Sequence, residues 1–403
     1  GNFGARLLAT SSSSGQAGAG EGGGGGWLKA LKLSSPDDII HEDPGYSKWR
    51  QVPFSVGVQL ALGSIYAFSV FNLPLTTALG VVGAAGSDWT ISSMIPVFGT
   101  TMSVFGVGAA GLGRLGFFEK HGPRFCCLLG ATCQLSGFLL GGLGVYLHSL
   151  PLLYMGYGVL GGAAMGVAYV PAVAVLIKWF PNQKGLAGGL AVVGYGAGGI
   201  IAAPAASKLI SFFRKPPEFF GSEVETIARE GKVFAKGMGD KMTEVVYASA
   251  SELSGIFPDL LEGYYVVGTG SSGAAETFAC MGIGYSFLMA ASALNFRHPS
   301  PKIESESKAV GVDSNSTKTH IASVSAENAM KTPQFWLLWT GVGINCTSSY
   351  AIIASGKTLM TDTFGSLLPT IVTPAFAGIF VSMISVSNLM GRITFSTLSD
   401  KIG

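Results

Sequence analysis

Eight stretches of this chain are apolar without alternation, and polar segments separate them: 52–74, 90–113, 124–147, 151–177, 185–212, 276–296, 334–359 and 369–398. Crossing the hydrocarbon core of a bilayer as a helix takes about 20 predominantly apolar residues. Each stretch therefore predicts one membrane-spanning helix. Barrel strands would alternate between lipid-facing and lumen-facing positions, and these runs do not. Prolines interrupt several of them (Pro74, Pro96, Pro171, Pro204 and Pro374), which bundles tolerate where neighbours satisfy the freed backbone groups.

The polar segments set the organisation. Residues 1–51 precede the first span. They are Ser/Gly-rich up to about residue 35, include Gly22 to Gly26, and read as a disordered, low-complexity tail. Gly4-Ala5-Arg6-Leu7-Leu8-Ala9-Thr10 and the serines that follow fit either plain low complexity or the end of an acid-free transit peptide. The chain does not start with Met, so it reads as processed or trimmed. Loops after the second, fourth and sixth spans carry Lys120 and Arg124, then Lys178 and Lys184, then Arg297, Lys302, Lys308, Lys318 and Lys331. Loops after the first, third and seventh spans carry none, so the positive-inside rule puts the N-terminus and the even-numbered loops on the cytoplasmic-type side. Residues 213–275 form a long outer loop. In it Val224, Ile227, Phe234, Met238, Met242 and Val245 recur at helical spacing, which predicts an amphipathic helix over the outer mouth. Residues 298–332 form a polar linker on the opposite side, where the sequon Asn315-Ser316-Thr317 is expected to stay unmodified.

Composition narrows the class further. Of the 403 residues, 48% are hydrophobic and only 12% charged, against roughly 25% charged in soluble domains. A net charge of +2 gives no case for nucleic acid. The five cysteines (Cys126, Cys127, Cys133, Cys280 and Cys346) sit in apolar stretches and read as buried thiols without metal-ligand spacing. His41, His121, His148, His298 and His320 lie in loops, tails or helix ends. No metal, cofactor or catalytic constellation is implied, and an enzyme reading has no support. The run Gly194-Tyr195-Gly196-Ala197-Gly198-Gly199 lacks the preceding strand of a phosphate loop and reads as helix packing.

Polar residues inside the spans carry the candidate chemistry. Arg392 lies in the eighth span, where a guanidinium that cannot shed its proton needs an anion, a carboxylate partner or water. Within the eight spans only Glu276, at an end, is acidic. Arg392 is thus a candidate carboxylate ligand; the alternatives are snorkelling and bonding to helix carbonyls. Tyr66, Tyr169 and Tyr195 have small neighbours and either wall an anion cage or simply pack. Lys357 reads as a second anion site or gate, or else as a headgroup snorkeller. A phrase also recurs: Glu119-Lys120-His121-Gly122-Pro123-Arg124 after the second span and Asp400-Lys401-Ile402-Gly403 after the eighth. The repetition marks two similar halves. Glu119, Lys120, Arg124, Asp400 and Lys401 then become a candidate conformational latch, or otherwise solvated loop charge.

Several stretches together resemble the major facilitator superfamily, in its oxalate/formate antiporter-like branch related to monocarboxylate transporters. They are Tyr169-Val170-Pro171 leading to Lys178-Trp179-Phe180-Pro181, Lys184 to Gly189, Gly263 to Gly270, Thr332 to Trp336, and Gly391-Arg392 with Ser399 to Gly403. The resemblance runs from about Trp49 to Gly403. It implies an all-α integral membrane bundle with a complete six-helix N-terminal domain at 52–297 and the first two helices of a C-terminal domain at 333–403, four further spans being expected. It also implies alternating access around one midplane site, with Arg392 as the anion ligand and Tyr66, Tyr169 and Tyr195 as its cage. Glu119 replaces the usual Asp, and Leu115 and Ser396 stand where Gly is usual. The expected activity is secondary transport of small carboxylates, by exchange rather than proton symport. The alternative is a transporter-derived, non-transporting subunit bound to other members of a membrane complex. The expected location is an organellar inner membrane, such as the mitochondrial one, or the plasma membrane.

Overall fold

The computed structural model describes residues 40–41, 46–180, 183–229, 231–236, 242–254, 256–299 and 326–402. Among the described residues, eight helices are long and apolar enough to cross a membrane: α1 (Lys48–Thr76), α2 (Ile91–Arg114), α3 (Phe117–Tyr146), α4 (Leu150–Trp179), α5 (Lys184–Phe213), α6 (Ala274–Leu294), α7 (Pro333–Phe364) and α8 (Pro374–Ile402). They match the eight apolar stretches, and the chain is a multi-pass integral membrane protein. Large apolar side chains such as Leu337, Trp339, Met383 and Phe395 face outward from α7 and α8, as helices in a hydrocarbon solvent can.

Three helices depart from regular geometry. In α1, Gly63–Phe71 is wound as a 3-10 helix, far longer than the usual run. In α4, Tyr154–Leu160 forms a π-helical stretch. The repeated phrase sits at a break in α3, where Gly122 takes φ +73 and Pro123 restarts the helix. Aromatic rings fill the core of the first six helices: Phe71 stacks on Phe278 at 4.6 Å, and Phe138 and Tyr157 pack around them.

The long outer segment corrects the predicted amphipathic helix. It is a five-stranded antiparallel sheet of β2 (Phe219–Gly221), β3 (Thr226–Arg229), β4 (Lys232–Lys236), β5 (Met242–Ala248) and β6 (Gly263–Val266), in the order β2-β6-β5-β4-β3. Val224 lies outside these strands, and Met238 outside the described residues. A small core of Val82, Ala248, Leu253 and Tyr265 welds the sheet to the α1–α2 loop. The tail also needs correcting at its end. β1 (Ile40–His41) pairs in parallel with β7 (His298–Pro299), and Lys48–Gln51 already belongs to α1. The rest of the tail and residues 300–325 of the linker, with the sequon, lie outside the described residues.

The α1–α2 loop holds strain: Val81, a β-branched residue, has φ 61. Asp88 fixes it by accepting from the backbone N–H groups of Leu79 (2.7 Å), Gly80 (3.0 Å) and Ala85 (2.9 Å). Hydrogen bonds to charged groups contribute about 1.5–3 kcal/mol each. Asp88→Ala is therefore expected to speed limited proteolysis in the α1–α2 loop by at least ~10-fold, and an unchanged cleavage rate would rule out this anchoring role.

Candidate functional site

In an α-helix each Cα–Cβ bond leans toward the helix N-terminus, so Arg392 reaches back along α8, toward the middle of the helix. Its Nε donates to Asn388 Oδ1 at 2.6 Å, one turn earlier. Its Nη2 donates to the Tyr66 hydroxyl at 3.3 Å, across to the 3-10 segment of α1. The guanidinium carbon lies 5.6 Å from the ring centroid of Tyr195 on α5, within cation–π range. Tyr195 meets Tyr66 edge-on at 5.2 Å and Tyr169 of α4 edge-on at 5.3 Å. The structure thus brings together four residues that the sequence reading had singled out, from four helices.

Two faces of α5 make this possible. One face packs backbone to backbone on α1: a Cβ at Gly194 would lie 2.3 Å from the Val56 carbonyl oxygen, and one at Gly198 would lie 2.2 Å from the Gly63 carbonyl carbon. The other face meets α8. A Cβ at Gly196 would lie 2.9 Å from Asn388 Oδ1 and 3.3 Å from Arg392 Cδ, so the arginine stem runs across bare backbone. The glycine-rich run is a packing device, as its sequence context implies.

The electrostatics suit an anion. Arg392 retains N–H donors beyond those spent on Asn388 and Tyr66. Tyr195 is 2% exposed and its hydroxyl has no hydrogen-bond partner among the described residues, a costly state for a buried polar group. Tyr169 also interacts with the guanidinium. The sequence reading missed Tyr350 of α7, which stands within electrostatic reach of Tyr66, Tyr169 and Arg392. It missed Asn388 as well, although an amide four residues before a buried arginine was a legible signal.

The other singled-out residues lie elsewhere. Lys357 lines an outer cavity of about 810 Å³ and does not join the tyrosines. Arg124 is 6% exposed and donates through Nε to the Phe296 carbonyl at 3.1 Å, tying α3 to the end of α6. Glu119 and Lys120 are exposed. The side chains of Asp400 and Lys401 lie outside those described. Among the described residues no group of three or more His, Cys, Asp or Glu gathers as a metal site. The cysteines are free thiols, but only Cys126 and Cys127 are buried; Cys280 is exposed on α6.

No family model matches the chain. It is similar to an uncharacterized MFS-type transporter, YhjX, of Escherichia coli, with 26% identity over 88% of this chain and 67% of that protein. It is 29% identical to the oxalate:formate antiporter of Oxalobacter formigenes over 38% of this chain and 33% of that protein. It is 23% identical to apicoplast pyruvate carrier 1 of Toxoplasma gondii over 84% of this chain and 56% of that carrier. The matches cover between about a third and two thirds of these relatives' lengths.

Proposed function

We propose that this chain, a member of the major facilitator superfamily on its oxalate/formate antiporter-like branch, carries small carboxylate anions across a membrane by alternating access. One observation carries the reading. Arg392, on a membrane helix, is held by neutral groups alone among its described hydrogen-bond partners, and an unpartnered Tyr195 hydroxyl lies beside it. A charge in the bilayer interior demands compensation, and a planar carboxylate matches the guanidinium fork. The relatives that transport oxalate, formate and pyruvate are consistent with that chemistry.

Binding would proceed by substitution of partners. The incoming carboxylate takes the free guanidinium N–H groups while the tyrosine hydroxyls donate to its remaining lone pairs. Neutralising Arg392 then lowers the cost of closing apolar walls around it. Acidic residues in the eight helices lie only near their ends (Glu119, Glu276, Asp362 and Asp400). This part of the chain offers no buried proton acceptor beside the site, which favours exchange over proton symport. The six-helix and two-helix division, with 213–275 as an outer insertion, is the domain organisation that goes with this mechanism.

The test is uptake of radiolabelled oxalate, formate and pyruvate into proteoliposomes loaded or not loaded with the same anion. Exchange predicts uptake that needs internal anion and ignores an imposed pH gradient. Uptake of none of the three would overturn the reading. Tyr66→Phe removes one acceptor of Arg392 while keeping the ring. It is expected to raise KM about three- to tenfold, matching the roughly 0.5–1.5 kcal/mol of one hydrogen bond. A ring that only packs would leave KM unchanged.

A further inference from the structure

At the outer ends of α1, α5, α7 and α8 lies the cavity of about 810 Å³, within the size range of small-molecule sites. Its floor includes Val70 and Ser382. Val70 is one helical turn above Tyr66, and Ser382 one turn above Ser385, the residue that a Cβ on Gly199 would meet together with Tyr66. The cavity floor therefore lies about one turn above the layer of the Arg392 site, with Tyr66 and Ser385 packed between them. Its roof is the outer domain, through Ser251, Glu252 and Ile256.

The charge of the walls is one-sided. Three cations line the cavity, Lys208, Arg214 and Lys357, against one carboxylate, Glu252. Glu252 is spent on its own turn: it accepts from the Ser249 backbone N–H at 2.9 Å and the Ser249 hydroxyl at 2.8 Å. Those bonds, both accepted by Oε2, hold its carboxyl below the usual carboxylate range. Lys357 and Arg214 both line the cavity, so two like charges share it. Among the described residues the buried Arg214 Nε has no hydrogen-bond partner. Like charges in one cavity, one with an unused donor, favour an anion between them.

We propose that this cavity is a second anion site, in which Arg214 and Lys357 together hold a small carboxylate and pass it down to Arg392. The proposal rests on the carboxylate-carrier reading and adds a loading step to it. A dianion such as oxalate is the expected occupant, its two charges matching two cations of one cavity. Glu252 opposes the anion, and the outer domain that carries it forms the roof of the vestibule. Opposite charge focused in a cleft with apolar walls raises the local substrate concentration and falls off with salt.

Two measurements on the full-length carrier in proteoliposomes test this. The first is uptake of radiolabelled oxalate, formate and pyruvate, with Arg392→Gln run in parallel. Lys357→Gln with Arg214→Gln is expected to raise KM about tenfold, with most of the loss in KM, and to flatten the dependence of uptake on ionic strength. Glu252→Gln is expected to act in the opposite direction, lowering KM about twofold. The second reads the cavity without transport. Ser207→Cys places a thiol in the wall, and its labelling by an anionic methanethiosulfonate is compared with labelling by a cationic one. The anionic reagent should be preferred at least about fivefold, and the preference should vanish in the double variant and be slowed by oxalate. Lys357→Arg with Arg214→Lys keeps the charge and should keep the anionic labelling preference, which separates charge from folding. An unchanged KM and no anionic preference, in a protein whose Arg392→Gln variant has lost uptake, would overturn the vestibule and leave the carrier reading standing. Uptake that survives Arg392→Gln would overturn the carrier reading, and the loading step with it.

Discussion

Arg392→Lys is expected to reduce carboxylate uptake at least about 100-fold, with the protein still folded and inserted. The size follows from the geometry. Lysine keeps the charge but loses the planar fork, the bond from Nε to Asn388 at 2.6 Å and the bond to Tyr66 at 3.3 Å. A carboxylate that pairs with a guanidinium through two charge-assisted bonds loses one or both, at about 1.5–3 kcal/mol each. Two such losses exceed the roughly 2.7 kcal/mol that make a factor of 100. Arg392→Gln removes the charge as well and is expected to bring uptake to background. The competing account makes Arg392 a structural tie between α8 and α1. It predicts that lysine, which can still snorkel and donate, retains most of the uptake. Initial rates in proteoliposomes, normalised to monodisperse protein by size-exclusion chromatography, separate the two. A lysine variant within about threefold of wild type, against the two lost bonds, would remove Arg392 from the substrate site.

The helices and the arginine were legible because a bilayer leaves few options. Every backbone polar group must be satisfied inside a span, so about 20 apolar residues in a row can hardly be anything but a helix, and a buried guanidinium stands out against that background. The tyrosines were legible only as a group near small residues; their convergence on Arg392 depends on how α1, α4 and α5 cross. The outer sheet was misread because water imposes no such limit. The steps from Ile227 to Phe234 and from Met242 to Val245 are seven and three residues, which fit a helical stripe. They arise instead from two antiparallel hairpins in which Ile227 pairs with Phe234 and Phe234 with Glu244. A better signal was available: Gly231, at φ +78, joins β3 to β4, and Gly237-Met238-Gly239-Asp240 follows in the sequence before β5. The latch was read from a phrase repeated in the sequence, and the side chains of its Asp400 and Lys401 lie outside those described. Its described arginine, Arg124, ties two of the first six helices together and does not reach α7 or α8 through its Phe296 bond.

Gly198→Ala is expected to be the most damaging small substitution in the membrane core, although it adds one methyl group far from any charge. The new Cβ would sit 2.2 Å from the carbonyl carbon of Gly63, 2.4 Å from its oxygen and 2.5 Å from its Cα. These are backbone atoms of a neighbouring helix, so no rotamer change relieves the clash, and α1 and α5 must separate by about an ångström to reach ordinary contact. Overpacking of this kind costs typically about 1–3 kcal/mol. In a bilayer the loss is not offset by apolar burial, since close van der Waals packing between small residues is what holds such helices together. The expected readout is a fall in melting temperature of about 5–10 °C in detergent. Gly188 on the same helix supplies the control, because a Cβ there meets nothing within 4 Å. Gly188→Ala is expected to melt at or slightly above the wild-type temperature, alanine being the better helix former by about 1 kcal/mol. The separation of α1 from α5 also pulls Tyr66 away from Tyr195, which meet at 5.2 Å. Any Gly198→Ala protein that survives purification should therefore show a raised KM with Arg392 intact. Equal melting of the two alanine variants would mean that α1 and α5 do not touch at Gly63, and the tyrosine cage built on that crossing would go with it.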